Sequence, residues 1–198
     1  MKVCVFFDKS DHLQVIYAAD IQINKYINRD DLQNISQEFA LPHNWGLMNV
    51  NSLLDSLLQF NNFGDFEPIS GINVPWLYFG MLYSTFCWHT EDLYLYSINY
   101  MHQGAPKIWY SISHKQKEEF DEYVKNKFYA TLLKQPDLIH KLIVHIHPLE
   151  LIANGIKVFK TIQHPGEIVI TVPKGYHTGF SLGYNVAEAV NFSVNNLY

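Results

Sequence analysis

Two short stretches of the chain carry residue types that could do chemistry. The first is Trp88-His89-Thr90-Glu91. On a strand, side chains two apart share a face, so His89 and Glu91 would present an imidazole and a carboxylate together. One more imidazole would complete a face of two histidines and one carboxylate, which binds Fe(II) and leaves positions open for a co-substrate and dioxygen. Taken alone, His-x-Glu recurs by chance, and a surface pair or a hydrogen-bonded core histidine is the plainer reading. The second stretch is Gly175-Tyr176-His177-Thr178-Gly179, just after the apolar run Glu167–Val172. A histidine there either points into a barrel mouth or is an ordinary turn histidine.

A third feature follows the first. Leu93, Leu95, Ser97, Asn99 and Met101 alternate along one strand face, and Lys107 comes past the next turn. If that face looks inward, Ser97 and Asn99 offer neutral hydrogen-bonding groups and Lys107 a cation. A dicarboxylate that chelates a metal at one end needs a cation at the other. An isolated Lys107 would be a solvated turn lysine. Among the other histidines, His145 and His147 share the two-residue spacing, but Pro148 follows and no carboxylate lies between; the pair reads as structural. His12, His43, His102, His114, His140 and His164 have no ligand spacing.

These residues need elements to position them. Val3–Phe7 and Leu13–Ile16 read as short strands, and the polar segment 28–38 as a loop. Asn51 caps a helical pattern, with leucines 53, 54, 57 and 58 on one face. Val74–Tyr110 is a long aromatic strand-forming block broken by a turn at 102–106. Ser113 with Gln116 has capping-box spacing. The helix behind it shows a buried stripe of Phe120, Val124, Phe128 and Leu132 and ends at Gln135-Pro136. A second helix, Pro148–Asn154, closes at Gly155. Strands follow at Val158–Ile162, Glu167–Val172 and Val186–Val194. The expected architecture is mainly β, with a helical insertion over about 113–155.

Composition sets the outer bounds. The chain has 198 residues, 48% hydrophobic and 17% charged, with 13 Tyr, 13 Phe and 4 Trp. That supports a packed core in one domain and argues against disorder. Fourteen Lys plus Arg against 19 Asp plus Glu give −5, which argues against a basic nucleic-acid surface and favours a cationic partner. Cys4 and Cys87 are too few for a disulfide framework, so a reducing compartment is expected. No apolar run reaches the ~18–20 residues of a membrane span, and the first residues lack a signal-peptide layout.

Taken together, the motifs resemble a known family. Val74–Tyr110 (VPWLYFGMLYSTFCWHTEDLYLYSINYMHQGAPKIWY) resembles the central block of a JmjC-domain histone lysine demethylase. The tail PGEIVITVPKGYHTGFSLGYNVAEAVNF resembles the second half of that domain, and VIYAADI extends the likeness back to Val15. FCWH, SINY and AEAVNF lean toward the JARID-type branch, which acts on lysine four of histone three. YFGM and HTED are nearer the lysine nine and thirty-six branch.

The resemblance implies a double-stranded β-helix barrel (cupin or jelly-roll, JmjC) over residues 1–198, using Fe(II) and 2-oxoglutarate. It implies His89, Glu91 and His177 as iron ligands, and Tyr17, Phe86, Ser97, Asn99, Lys107 and Trp109 around the co-substrate. Tyr17 and Lys107 would take the distal carboxylate. Asp20, Gly71, Tyr78 and Asn191 match positions near the methylated lysine, where oxygens and an aromatic face suit a methylammonium. The implied reaction is N-methyl hydroxylation on a histone tail in the nucleus, releasing formaldehyde, succinate and CO2. Lys134 stands where relatives have a zinc cysteine, although His140 matches its partner, so no zinc is expected. The chain reads as a fragment whose chromatin partners bind through other regions, without direct nucleic-acid or membrane binding. The rival readings are a JmjC protein hydroxylase, an inactive chromatin scaffold and a cupin-like binding barrel.

Overall fold

The computed structural model describes residues 2–3, 15, 17–22, 47, 72, 74–134 and 144–194. The helical pattern after Asn51, the segment 28–38, Gly71, His140 and most of the first two expected strands lie outside the described residues. Among the described residues, ten strands form two antiparallel sheets. In chain order they are β1 (Lys2–Val3), β2 (Ala18–Gln22), β3 (Trp76–Gly80), β4 (Thr85–His89), β5 (Tyr96–Gly104), β6 (Lys107–Ile112), β7 (Val158–Gln163), β8 (Ile168–Thr171), β9 (Tyr176–Ser181) and β10 (Asn185–Phe192). One sheet runs β1-β2-β3-β10-β5-β8 and the other β4-β9-β6-β7. This is the expected mainly β, jelly-roll arrangement. The sheets meet through side chains, and no ladder among the described residues closes them into a ring.

Burial alternates as a half-covered strand requires. On β5, Ser97, Asn99 and Met101 are buried on one face. On its other face Tyr100 and Ile98 pack with Val190 of β10 beneath Leu47. On β6, Lys107, Trp109 and Ile112 are buried. Ile112 turns outward into a second core with Trp88, Phe120, Val124, Val144, Ile146, Leu151, Ile156 and Tyr176. That core is closed by the helical insertion: α1 (Lys117–Lys127), α2 (Tyr129–Leu132) and α3 (Pro148–Ala153). Trp88 ties the insertion to β4, its backbone N–H donating to Val144 O and its indole Nε1 to Ile146 O at 2.9 Å. Each large apolar side chain so buried contributes about 1.5–3 kcal/mol.

Three expectations change. Leu93 is not on the face of β5: it sits in a 3-10 turn, Asp92–Tyr94, with φ 53° and 81% exposure. Ser113 caps a 3-10 turn through Lys115 N, while Gln116 turns away and bonds Gly155 O and Lys157 N, so no capping box forms. The segment around His177 is a strand, β9, because it is held by β4 on one side and β6 on the other. A further strand, Ala18–Gln22, pairs with β3 and was not among those expected.

Candidate metal and co-substrate site

His89 and His177 are direct cross-strand partners on β4 and β9, their ring centroids 4.2 Å apart. The register of β4 slips between Phe86 and His89. Strict alternation would put Phe86 with Trp88 and send His89 to the opposite face. The bulge instead lets Phe86 and His89 share the inner face while Trp88 fills the helical core. Strand β4 ends at His89, so Glu91 does not share a strand face with it as the two-residue spacing suggested. Glu91 reaches the same point in extended conformation at the entry to the 3-10 turn.

The ligand atoms of His89, Glu91 and His177 lie within 4.8 Å of one another. Each imidazole is oriented by a backbone carbonyl two residues earlier. His89 Nδ1 lies 2.8 Å from Cys87 O and His177 Nδ1 3.2 Å from Gly175 O. Those bonds put the proton on Nδ1 and leave each Nε2 lone pair as the ligand atom. Burial, then the charge of His177, pushes the His89 pKa down to about 4 against the pull of Glu91 and the Cys87 carbonyl. His89 is therefore a neutral, ligand-ready imidazole at pH 7.

Glu91 is the hub of the polar contacts. Its Oε1 lies 3.2 Å from His177 Nε2, and its Oε2 accepts from Asn191 Nδ2 at 3.0 Å. Burial raises its pKa, but His177, His89 and the Asn191 hydrogen bond outweigh that and hold it at about 2. Thr171 Oγ1 approaches Glu91 Oε1 at 3.5 Å and Ser97 Oγ at 2.6 Å, so a hydroxyl chain joins β5 to the carboxylate. Two imidazoles and one carboxylate suit a divalent cation of Fe(II) type, and such a set leaves coordination positions for other ligands.

The co-substrate candidates surround this cluster. Phe86 packs on Trp109 at 4.8 Å and lies 6.4 Å from the His177 ring. Lys107 is 7% exposed, with Nζ 5.9 Å from the Phe86 ring and 6.0 Å from that of Trp109. Burial is the sole cause of its pKa falling to about 8. Gly179 makes the Phe86 position possible: a Cβ there would meet Ile108 O at 2.2 Å and Phe86 Cζ at 2.6 Å. Tyr78 of β3 is near enough to Asp20 and Glu91 that, after burial, their charges raise its pKa further. Asp20 takes φ 60° where β2 slips against β3. Tyr17 immediately precedes β2 and is half-buried. Asn191 spends its amide hydrogens on Glu91 and Tyr96 O.

Two functional candidates escaped the sequence reading. Thr171 lay inside one expected strand and Gln163 just past another, neither with a motif, yet both are buried and bridge to the site. Two of the other described histidines hold the fold together. His147 caps α3 by accepting from Leu149 N, and His102 pairs with Glu188 at 2.9 Å.

This geometry coincides with a family match. The JmjC domain, described as a hydroxylase, matches residues 76–192, which include all three candidate ligands. This chain belongs to the JmjC family. Lysine-specific demethylase 5D of Homo sapiens is 42% identical over 189 residues, covering 92% of this chain and 12% of that protein. The Pan troglodytes protein of the same name is 41% identical over the same shares. Lysine-specific demethylase JMJ703 of Oryza sativa subsp. japonica is 39% identical over 188 residues, 92% of this chain and 15% of that protein. The JmjC chain thus spans under a sixth of the length of the relatives it matches. The likeness to demethylase 5D agrees with the JARID-type lean of the FCWH, SINY and AEAVNF blocks.

Proposed function

We propose that this JmjC domain is an Fe(II)- and 2-oxoglutarate-dependent oxygenase that demethylates lysine in a methylated histone tail. The observation that carries the proposal is a His-Glu-His cluster, its ligand atoms within 4.8 Å of one another, with a buried lysine farther along the same sheet. Along β9, His177 pairs with Ser111 and Ser181 with Lys107. Four residues of strand separate those levels by about 13 Å, a gap that a lysine stem and a five-carbon dicarboxylate fill together.

In this reading His89, Glu91 and His177 hold iron, which when bound supplies dioxygen activation coupled to decarboxylation of 2-oxoglutarate to succinate. The chain orients the parts. Carbonyls of Cys87 and Gly175 lock the two imidazoles, and Asn191 holds Glu91. Lys107 and Tyr17 take the distal carboxylate, Asn99 donates to a co-substrate oxygen with Ser97 beside it, and Phe86 and Trp109 exclude water. Tyr78, with Asp20 and Gly71, would cradle the methylammonium. Hydroxylation of one N-methyl carbon then gives formaldehyde and a lysine with one methyl fewer. Action at histone tails places the protein in the nucleus, with chromatin partners engaged through the parts its longer relatives possess.

The test is mass spectrometry of methylated histone peptides incubated with the anaerobically prepared Fe(II) protein, 2-oxoglutarate and air. Loss of one methyl mass, dependent on 2-oxoglutarate, supports demethylation and identifies the lysine. Gain of one oxygen without methyl loss refutes it in favour of a side-chain hydroxylase.

A further inference from the structure

Gln163 is 1% exposed at the end of β7 and joins the two sheets. Its Oε1 accepts from Trp109 Nε1 at 2.9 Å. Its Nε2 donates to Asn99 Oδ1 at 3.1 Å, to Asn99 O at 3.0 Å and to Glu167 O at 3.2 Å. An indole N–H can only donate, so it fixes the oxygen of Gln163 toward Trp109 and the nitrogen toward Asn99. The Asn99 amide oxygen must then face Gln163, because two NH2 groups cannot bond each other. What remains for the pocket is Asn99 Nδ2. No partner for it is found among the described residues, and it lies on the face of β5 that carries Ser97 toward Glu91.

We propose that Gln163 is a positioning residue that sets the polarity of Asn99, so that Asn99 presents a donor and not an acceptor to the acidic co-substrate. This rests on the reading of Asn99 as a 2-oxoglutarate contact. The relay runs in one direction. Trp109 donates to Gln163, Gln163 to Asn99, and Asn99 to a carboxylate oxygen, which can only accept. Reversing any link would aim an amide oxygen at a dianion in a site of low dielectric, where the mismatch is costly. The same residue also braces Trp109, so both walls of the pocket depend on one buried amide.

The decisive variant is Gln163→Glu, close to isosteric. When ionised, the new carboxyl still accepts from Trp109 but has no hydrogen for Asn99, and the Asn99 amide turns over. When protonated, it donates as the amide did. Calorimetric titration of 2-oxoglutarate, with Mn(II) in place of iron, should show about 10- to 100-fold weaker binding than wild type at high pH. The variant-to-wild-type ratio should approach one as the pH falls. A Gln163→Met variant should lose affinity with no pH dependence in that ratio. If Gln163→Glu binds like wild type at every pH, or like Gln163→Met at every pH, the polarity role is overturned.

Asn99→Ala separates the two levels of the argument. If it leaves affinity unchanged, the pocket reading of Asn99 fails and this inference with it. If it weakens binding while Gln163→Glu does not, only the role of Gln163 fails. Should Gln163→Glu not fold, the wild-type protein decides through side-chain amide resonances. Adding 2-oxoglutarate should move those of Asn99 and Gln163 and the indole of Trp109 together. Movement of Asn99 without Gln163 contradicts the relay.

Discussion

Replacing Lys107 with methionine should make the metal-free protein more stable and abolish co-substrate binding. Lys107 is buried, and its pKa falls from 10.5 to about 8 with burial as the only cause. A shift of that size corresponds to about 3 kcal/mol at 1.36 kcal/mol per unit, the cost of keeping the ammonium charged inside the fold. The sign follows from proton counts. Below pH 8 both folded and unfolded chains hold the proton, and the cost is carried in full. Between about 8 and 10.5 the folded chain has lost the proton and the unfolded chain keeps it, so stability rises with pH. Methionine fills a similar volume without charge. Thermal melts of the metal-free proteins at pH 7 should show Lys107→Met higher by several degrees, at about 2–4 °C per kcal/mol for a chain of this size. The gain should shrink as the pH approaches 10. For wild type, the affinity for 2-oxoglutarate should be flat below pH 8 and fall about tenfold per pH unit above it, since the dianion needs the ammonium form. A Lys107→Met protein that melts lower than wild type, or that still binds 2-oxoglutarate, would refute the reasoning.

Other residues give sharper single outcomes. Gly179→Ala should push Phe86 off the pocket wall, costing about 1–3 kcal/mol in denaturant melts and weakening 2-oxoglutarate binding. Asn191→Ala removes the donor that holds Glu91 and should weaken Mn(II) binding by about 10- to 100-fold with little change in melting temperature. Phe120→Ala, in the core beneath the helical insertion, should cost about 3–5 kcal/mol in urea titrations while metal binding by the folded fraction is retained.

The sequence displayed some of this arrangement and hid the rest for identifiable reasons. Period-two alternation correctly grouped Ser97, Asn99 and Met101, because β5 is a regular strand across those positions. It failed for Leu93, since a reversal of backbone direction at φ 53° carries no clear residue signal when leucine and not glycine occupies it. His89 and Glu91 come together for a reason different from the one their spacing suggested. The bulge in β4 turns His89 inward, and a bulge leaves no mark in Phe-Cys-Trp-His. His177 looked like a turn residue because glycines flank it. Gly179 is there because β9 is crowded at that point by Phe86 and by the Ile108 carbonyl. Gln163 and Thr171 were invisible because buried polar residues gain meaning only from partners on distant strands, and no local pattern records a contact such as Gln163 with Asn99.

The central claim is that His89, Glu91 and His177 hold Fe(II) on which 2-oxoglutarate is chelated. The most direct test is anaerobic titration of metal-free protein with Fe(II) and then 2-oxoglutarate. The readout is the visible charge-transfer absorption that a chelated 2-oxo acid gives with ferrous iron. Wild type should develop the band at one equivalent of each, and His89→Ala should bind neither iron nor develop it. A band that persists in His89→Ala, or that wild type never shows although both ligands are present, would contradict the account.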